Sequence, residues 1–271
     1  MSDATSPFPV NQTRTPSDLR GRVALVTGVG RKRGIGYAIC REFASRGADV
    51  VLSYWKPYDR EMPWASDEDE GLPGDLRAAG VRAEGIEVDL SRPDSPKYLL
   101  DAAEERVGRP SILVNVAAYS ARDGFEALDA ETLDAHYAVN VRAMALLSVL
   151  FARRYPGGPG GRIVNFSSGQ SLGPMPGELA YIMTKGAIEA FTLTLAAEVG
   201  HKGITVNAIN PGATDTGWMT EGMKREIVAK SPSGRIGQPE DAARLVAFLA
   251  SDDAAWITGQ TIHSEGGFFR S

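Results

Sequence analysis

Short runs of unbroken apolar residues alternate along this chain with longer stretches whose apolar residues recur every three or four positions. The runs at 23–27, 50–53, 85–88, 112–116, 163–166, 204–209 and 260–263 have the length and composition of buried strands. Between the first two, residues 34–46 carry Ile35, Ile39 and Phe43 at helical spacing, and 97–107, 131–154, 180–199 and 240–250 repeat that pattern. A strand with no polar face needs cover on both sides, so the alternation predicts a parallel sheet between two helical layers. The expected architecture is α/β, a single-domain doubly wound (Rossmann) parallel sheet of about seven strands.

Two stretches break the rhythm. Residues 1 to about 20 are rich in Pro, Ser and Thr and read as a loose arm ahead of a domain spanning 21–271. Residues 56–74 hold Pro57, Pro63, Pro73 and an acidic run at 67–70. That is long for a strand-to-helix connection, and it reads as an inserted surface loop.

Composition narrows the function classes. The 271 residues are 43% apolar, ample for a core, and 29 basic against 34 acidic residues leave a net charge of −5. That balance gives no general attraction to nucleic acid or to a membrane surface, so any phosphate site has to be local. Cys40 is the sole cysteine, which excludes an intrachain disulfide and fits a small apolar side chain in a reducing compartment. His136, His201 and His263 are scattered, with no partner at ligand spacing, so no metal site is expected. The chain opens without a basic region followed by an apolar run, and its longest apolar stretch, near 144–152, is shorter than the roughly 20 residues of a membrane span. A cytoplasmic protein is expected.

Candidate chemistry clusters at the ends of the predicted strands. Gly28, Gly30, Gly34 and Gly36 fall between the first strand and the first helix, where glycine lets backbone approach a pyrophosphate at a helix N-terminus. The second strand ends in Ser53, Tyr54, Trp55 and Lys56, with no carboxylate where one would bind the adenosine ribose of NAD and repel NADP. Lys56, together with Arg31, Lys32 and Arg33 in the glycine loop, favours NADP(H) over NAD(H). Asp89, closing the third strand, is placed to accept from an adenine amino group, or else to cap a turn. Further on, Ser168 ends the fifth strand thirteen residues before Tyr181, and Lys185 follows the tyrosine by one helical turn. An ammonium on the same helix face stabilises a phenolate, and a serine beside the ring holds a substrate oxygen in line for the proton. Taken alone, this triplet reads more readily as a surface pair and a strand-ending serine than as a catalytic centre.

The order and spacing of these motifs settle the matter by resemblance. From residue 21 onward the chain resembles the short-chain dehydrogenase/reductase family, and within it is most similar to the 3-oxoacyl carrier-protein reductases. The resemblance is carried by the glycine loop from Thr27 to Gly36, Val88 to Leu90, Asn115 to Ala118, Asn140 with Val141, Ile163 to Ser168, Tyr181 to Lys185, Asn210 to Gly212 with Thr216, and the segments 248–252 and 257–260. It implies Asn140, Ser168, Tyr181 and Lys185 as catalytic residues: Tyr181 the general acid, Lys185 lowering its pKa and binding the nicotinamide ribose, Ser168 orienting the carbonyl, Asn140 holding a relay water. It implies a cofactor site of Gly28, Arg33, Gly34, Ile35, Gly36, Lys56, Asp89, Leu90, Asn115, Tyr181, Lys185, Pro211, Gly212 and Thr216. Three departures stand out. Five residues rather than three separate Gly28 from Gly34, which enlarges the expected phosphate cradle; Asn115 is followed by Val-Ala-Ala; and His263-Ser-Glu precedes the final glycine pair.

The resulting expectation is an enzyme that reduces a ketone to a secondary alcohol with NADPH. Its partner is a small-molecule carbonyl or alcohol, under a lid formed by 213–236. An alcohol, sugar or steroid dehydrogenase using either dinucleotide is the alternative, and a dinucleotide sensor without turnover is a third reading, opposed by the presence of all four catalytic positions. By analogy with the family, a homotetramer or homodimer is expected.

Overall fold

Along the chain the elements are β1 (Val23–Val26), α1 (Ile35–Ser45), β2 (Asp49–Tyr54), α2 (Lys56–Glu61), α3 (Leu72–Arg77), β3 (Ala83–Glu87), α4 (Ser95–Arg106), β4 (Ile112–Asn115), α5 (Ala130–Tyr137), α6 (Met144–Arg154), β5 (Gly161–Phe166), α7 (Leu179–Val199), β6 (Ile204–Asn210), α8 (Glu221–Lys230), α9 (Pro239–Ala250) and β7 (Thr261–His263). The computed structural model describes residues 18–62 and 71–268. Most of the expected N-terminal arm, and the acidic run at 67–70, lie outside those residues.

All seven strands are parallel, in the order β3-β2-β1-β4-β5-β6-β7. Alternate strand residues feed two cores. Ala24, Val26, Val50, Leu52, Ile112 and Val114 meet Ile39, Phe43 and Val246 of α1 and α9. Val23, Leu25, Val51, Leu113 and Ile163 meet Leu99, Leu147, Phe151 and Leu195 of α4, α6 and α7 on the other face. Each fully buried aliphatic or phenylalanine side chain contributes about 1.5–3 kcal/mol, so a strand packed from both sides is held by its own composition. Arg162 of β5 is the exception, fully buried yet satisfied by the carbonyls of Ser251 and Gly161 and by Asp252. Strand order reverses direction between β1 and β4, which opens a crevice at their C-terminal ends.

Two sequence readings change here. The stretch 56–74 is not simply a loop, because its described parts form α2 and the start of α3. Pro57 and Pro73 each occupy the first turn of a helix, where proline's missing N–H has no partner to lose. The single helix expected over 131–154 is α5 and α6 joined through a π-helical turn, Ala138–Ala143, that carries Asn140. As one continuous stretch, Ala130–Arg154 is long and apolar enough to cross a membrane by length and composition, and half of it is buried inside the protein. Its buried Ala143, Leu147 and Phe151 form part of the second core.

Candidate functional site

The crevice between β1 and β4 holds a cavity of about 590 Å³. Gly28, Gly30, Arg31, Gly34, Ile35 and Gly36 form one wall, and Ser53, Tyr54 and Trp55 from the end of β2 form another. Asp89 and Leu90 follow β3, Ala117 to Ser120 follow β4, and Tyr181 and Thr216 close the far end.

The glycines are there because backbone passes backbone. Gly28 has φ +74°, and a Cβ on it would lie 2.7 Å from the Ala117 backbone; one on Gly36 would lie 2.7 Å from the Gly28 carbonyl. Thr27 fixes this approach, its hydroxyl accepting from the amides of Val116 and Ala117, both at 3.1 Å. The two extra residues of the loop go into a turn, with the Gly34 amide donating to the Arg31 carbonyl. That turn sends Lys32 outward to Asp75, at 2.8 Å, and Arg33 toward Gly217, while Arg31 lines the cavity and donates to the Thr216 carbonyl. Of the basic side chains read from the sequence, Arg33 and Lys56 do not line this cavity.

The residues present fit a dinucleotide. The glycine cradle ends at the N-terminus of α1, whose free amides and dipole favour a pyrophosphate. Ser53 Oγ is buried at the cavity wall with no hydrogen-bond partner among the described residues, as expected of a group that awaits one from a ligand. Asp89 lines the same wall, with one carboxylate oxygen accepting from the Ser91 amide at 2.8 Å. Asn115 points elsewhere. Its amide donates to Ser148 at 3.0 Å and Asn165 at 2.8 Å inside the core, so its side chain braces β4 against β5 and α6 and does not face the cavity. Gly212, at φ +66°, packs so closely on Glu265 that any side chain there would collide, and Glu265 also accepts from Asn210 at 3.1 Å.

At the nicotinamide end expected from sequence, β5 and α7 bring three side chains together. Ser168 stands beside the Tyr181 phenol and lowers its pKa, while its Oγ donates to Met175 Sδ at 3.9 Å. Lys185 is buried one turn below, its Nζ donating to the Phe166 carbonyl at 2.8 Å and sitting 5.2 Å from the centroid of the Tyr181 ring. Burial pulls the lysine down to about 8. The tyrosine does not behave as its spacing suggests. Burial, then the Glu178 carboxylate, push the phenol above its ordinary value, and the neighbouring Ser168 is the influence that pulls it down. The ammonium lies over the ring face and not at the hydroxyl, so in this state it does not depress the phenol.

Asn140 is buried, and its side chain takes both the amide and the carbonyl of Tyr119, at 2.7 and 2.9 Å, and donates to Thr184 at 3.0 Å. It thereby fixes the loop after β4 to α7. Asp123, which sequence reasoning missed, accepts from the amides of Leu179 and Ala180 at 2.6 and 2.7 Å and caps the helix that carries Tyr181 and Lys185. It precedes that helix by more than fifty residues, so no local pattern reveals it. Tyr58 of α2 was also missed. Its ring lies 5.7 Å from that of Tyr119, and its hydroxyl accepts from the Ser120 amide at 3.3 Å across the crevice.

Known proteins carry the same architecture. Residues 28–269 match the family described as enoyl-(acyl carrier protein) reductase. An uncharacterized oxidoreductase of Bacillus subtilis, YjdA, is 49% identical over 92% of this chain and 97% of its own length. The 3-oxoacyl-[acyl-carrier-protein] reductase of Pseudomonas aeruginosa is 35% identical over 93% and 99%. Among solved structures, a short-chain dehydrogenase of Burkholderia cenocepacia in complex with NADP superposes with a TM-score of 0.81, at 34% identity over 92% and 98% of the two chains. Sheet order, glycine crevice and this likeness agree: the chain is an oxidoreductase of the short-chain dehydrogenase/reductase family, whose members bind a nicotinamide dinucleotide.

Proposed function

We propose that the protein reduces a ketone to a secondary alcohol with NADPH. One observation carries the reading: Tyr181 lines the dinucleotide cavity with Ser168 beside its phenol and the buried Lys185 ammonium 5.2 Å from its ring centroid. The glycine loop, with Gly28, Gly34, Ile35 and Gly36, would hold the pyrophosphate; Ser53, Asp89 and Leu90 the adenosine; Pro211, Gly212, Thr216 and Lys185 the nicotinamide riboside. Bound there, reduced nicotinamide supplies the hydride.

The chain's own residues manage the proton. Ser168 donates to the carbonyl oxygen and holds it toward Tyr181. A phenol pushed upward stays protonated at neutral pH, which is the form a reductive proton donor needs. Lys185, still mostly charged at pH 7, offers positive charge beneath the ring as the proton leaves. Asn140, through Tyr119 and Thr184, acts on position and not on the reacting atoms. Preference for NADPH is supported by Arg31 at the cavity wall and by the uncharged end of β2 at Ser53 to Trp55. The segment 213–236, which includes α8 and is pinned at its stems by the pairing of Thr214 with Gly237, is read as the substrate lid.

Tyr181→Phe tests the assignment. It removes the proton donor, so turnover with a ketone panel should fall by about 10²–10⁴, while NADPH binding, followed by quenching of tryptophan fluorescence, stays within about twofold. Turnover that survives the substitution would overturn the reading.

A further inference from the structure

The segment after β2 does more than cover the crevice. A dinucleotide's adenosine ribose is held between the glycine loop and the end of the second strand. At the end of β2 this chain offers Ser53, whose buried hydroxyl has no partner among the described residues, followed by Tyr54 and Trp55. Helix α2 then turns back over the crevice and lays Asp59 against the glycine loop. The Asp59 carboxylate packs on the Gly30 Cα so closely that a methyl group there would collide with it, and Asp59 lines the same cavity as Arg31. The other carboxylates lining that cavity are placed differently. Asp89 accepts from its own turn at the adenine side, and Glu61 lies at the end of α2, away from the contact with Gly30.

We infer that Asp59 is a coenzyme-selecting residue, opposed in sign to Arg31, that supplies from α2 the ribose carboxylate absent from the end of β2. The carboxylate accepts hydrogen bonds from a free ribose and repels a 2′-phosphate, while Arg31 attracts that phosphate. The two charges sit on one wall, so the preference for NADP(H) is narrower than the basic glycine loop alone would set. This inference rests on the dinucleotide site described above, and the observable it governs is a ratio of affinities.

The test measures binding, without turnover. Kd values for NADPH, NADH, 2′,5′-ADP and 5′-AMP are obtained by titration calorimetry on the wild-type chain and on Asp59→Asn, Asp59→Glu and Arg31→Gln. The two adenosine fragments report the ribose end alone. In Asp59→Asn the ratio of NADPH to NADH affinity should rise by on the order of tenfold, as expected for removing one like charge at a cavity wall. The ratio of 2′,5′-ADP to 5′-AMP should follow it. Asp59→Glu keeps the charge and should stay nearer the wild-type ratio, and Arg31→Gln should move it the opposite way. An unchanged ratio in Asp59→Asn, or equal changes for phosphorylated and unphosphorylated ligands, overturns the inference. If Asp59→Asn does not fold, Asp59→Ser takes its place under the same criterion. A wild-type chain that prefers NADH overturns the NADPH reading but not this one, because the direction of the shift on removing Asp59 remains the criterion.

Discussion

Lys185 is costly to bury, and replacing it with methionine should stabilise the protein while removing its activity. The side chain is 3% exposed, its ammonium donates to the Phe166 carbonyl, and burial brings it from 10.5 to about 8. At about 1.4 kcal/mol per tenfold change, that drop corresponds to roughly 3 kcal/mol against the charged form in the folded state. The substituted thioether would keep most of the apolar stem and discard the charge. The lost hydrogen bond offsets about 1 kcal/mol, which leaves Lys185→Met more stable than wild type by roughly 2 kcal/mol at pH 7.

The pH dependence separates this cause from ordinary repacking. The folded value lies below the unfolded one, so between about pH 8 and 10.5 the unfolded chain holds a proton the folded chain has released. Wild-type stability from this group is therefore present above about 10.5 and lost as pH falls through about 8. Groups common to both proteins cancel in the difference. The variant's advantage should be largest at pH 7 and shrink steadily toward pH 10. Urea unfolding of both cofactor-free proteins, at matched concentrations and at pH 7, 8.5 and 9.5, measures it. A variant less stable than wild type at pH 7, or an advantage that does not change with pH, refutes the reasoning.

Two other substitutions probe how the site is held. Asp123→Ala leaves the Leu179 and Ala180 amides without their cap, so it should cost about 1–2 kcal/mol and lower turnover, with Asp123→Asn recovering part of both; unfolding midpoints and kcat that match wild type would show that the cap is immaterial. Gly28→Ala forces a side chain into left-handed backbone beside Ala117, which should cost roughly 2–4 kcal/mol and weaken NADPH binding; an unaltered thermal midpoint would mean that the backbones do not approach as described.

How much is legible depends on which physical signal each element carries. Five strands, β1, β2, β4, β5 and β6, announce themselves because nearly every residue in them is buried and apolar residues dominate, whereas β3 and β7 are only partly buried and signal more weakly. Helix α2 has no buried residue and carries a proline in its first turn, so neither periodicity nor propensity marks it; α8 likewise buries nothing, and α3 is only six residues long with two buried leucines. The π-turn at Ala138–Ala143 has no sequence period of its own, and the apolar pattern on either side of it reads as one helix. Asn115 reads toward the cofactor from its motif, yet it stands in register with Asn165 on the neighbouring strand, and the two amides satisfy each other within the core. Spacing places Lys185 on the tyrosine's face correctly, but it cannot show that the ammonium lies over the ring while burial and Glu178 govern the phenol.

These misses share a cause with consequences for how the protein works. The groups proposed to handle the proton sit on α7 and after β5, elements fixed by core packing and by a polar lattice running from Asn115 through Asn165 to Thr192 and from Asn140 to Tyr119 and Thr184. Tyr58 and Asp59, which line the cavity, sit on a short helix with no buried residue, where Asp59 contacts Gly30 and Tyr58 bonds to Ser120. In the proposed reading, changes in α2 should alter the adenosine end without disturbing the lattice around Tyr181, whereas a change at Asn140 or Asp123 should shift the proposed proton donor itself. On the proposed function, reaction type and coenzyme choice would be carried by elements of unequal burial, and the weaker sequence signal belongs to the element freer to vary.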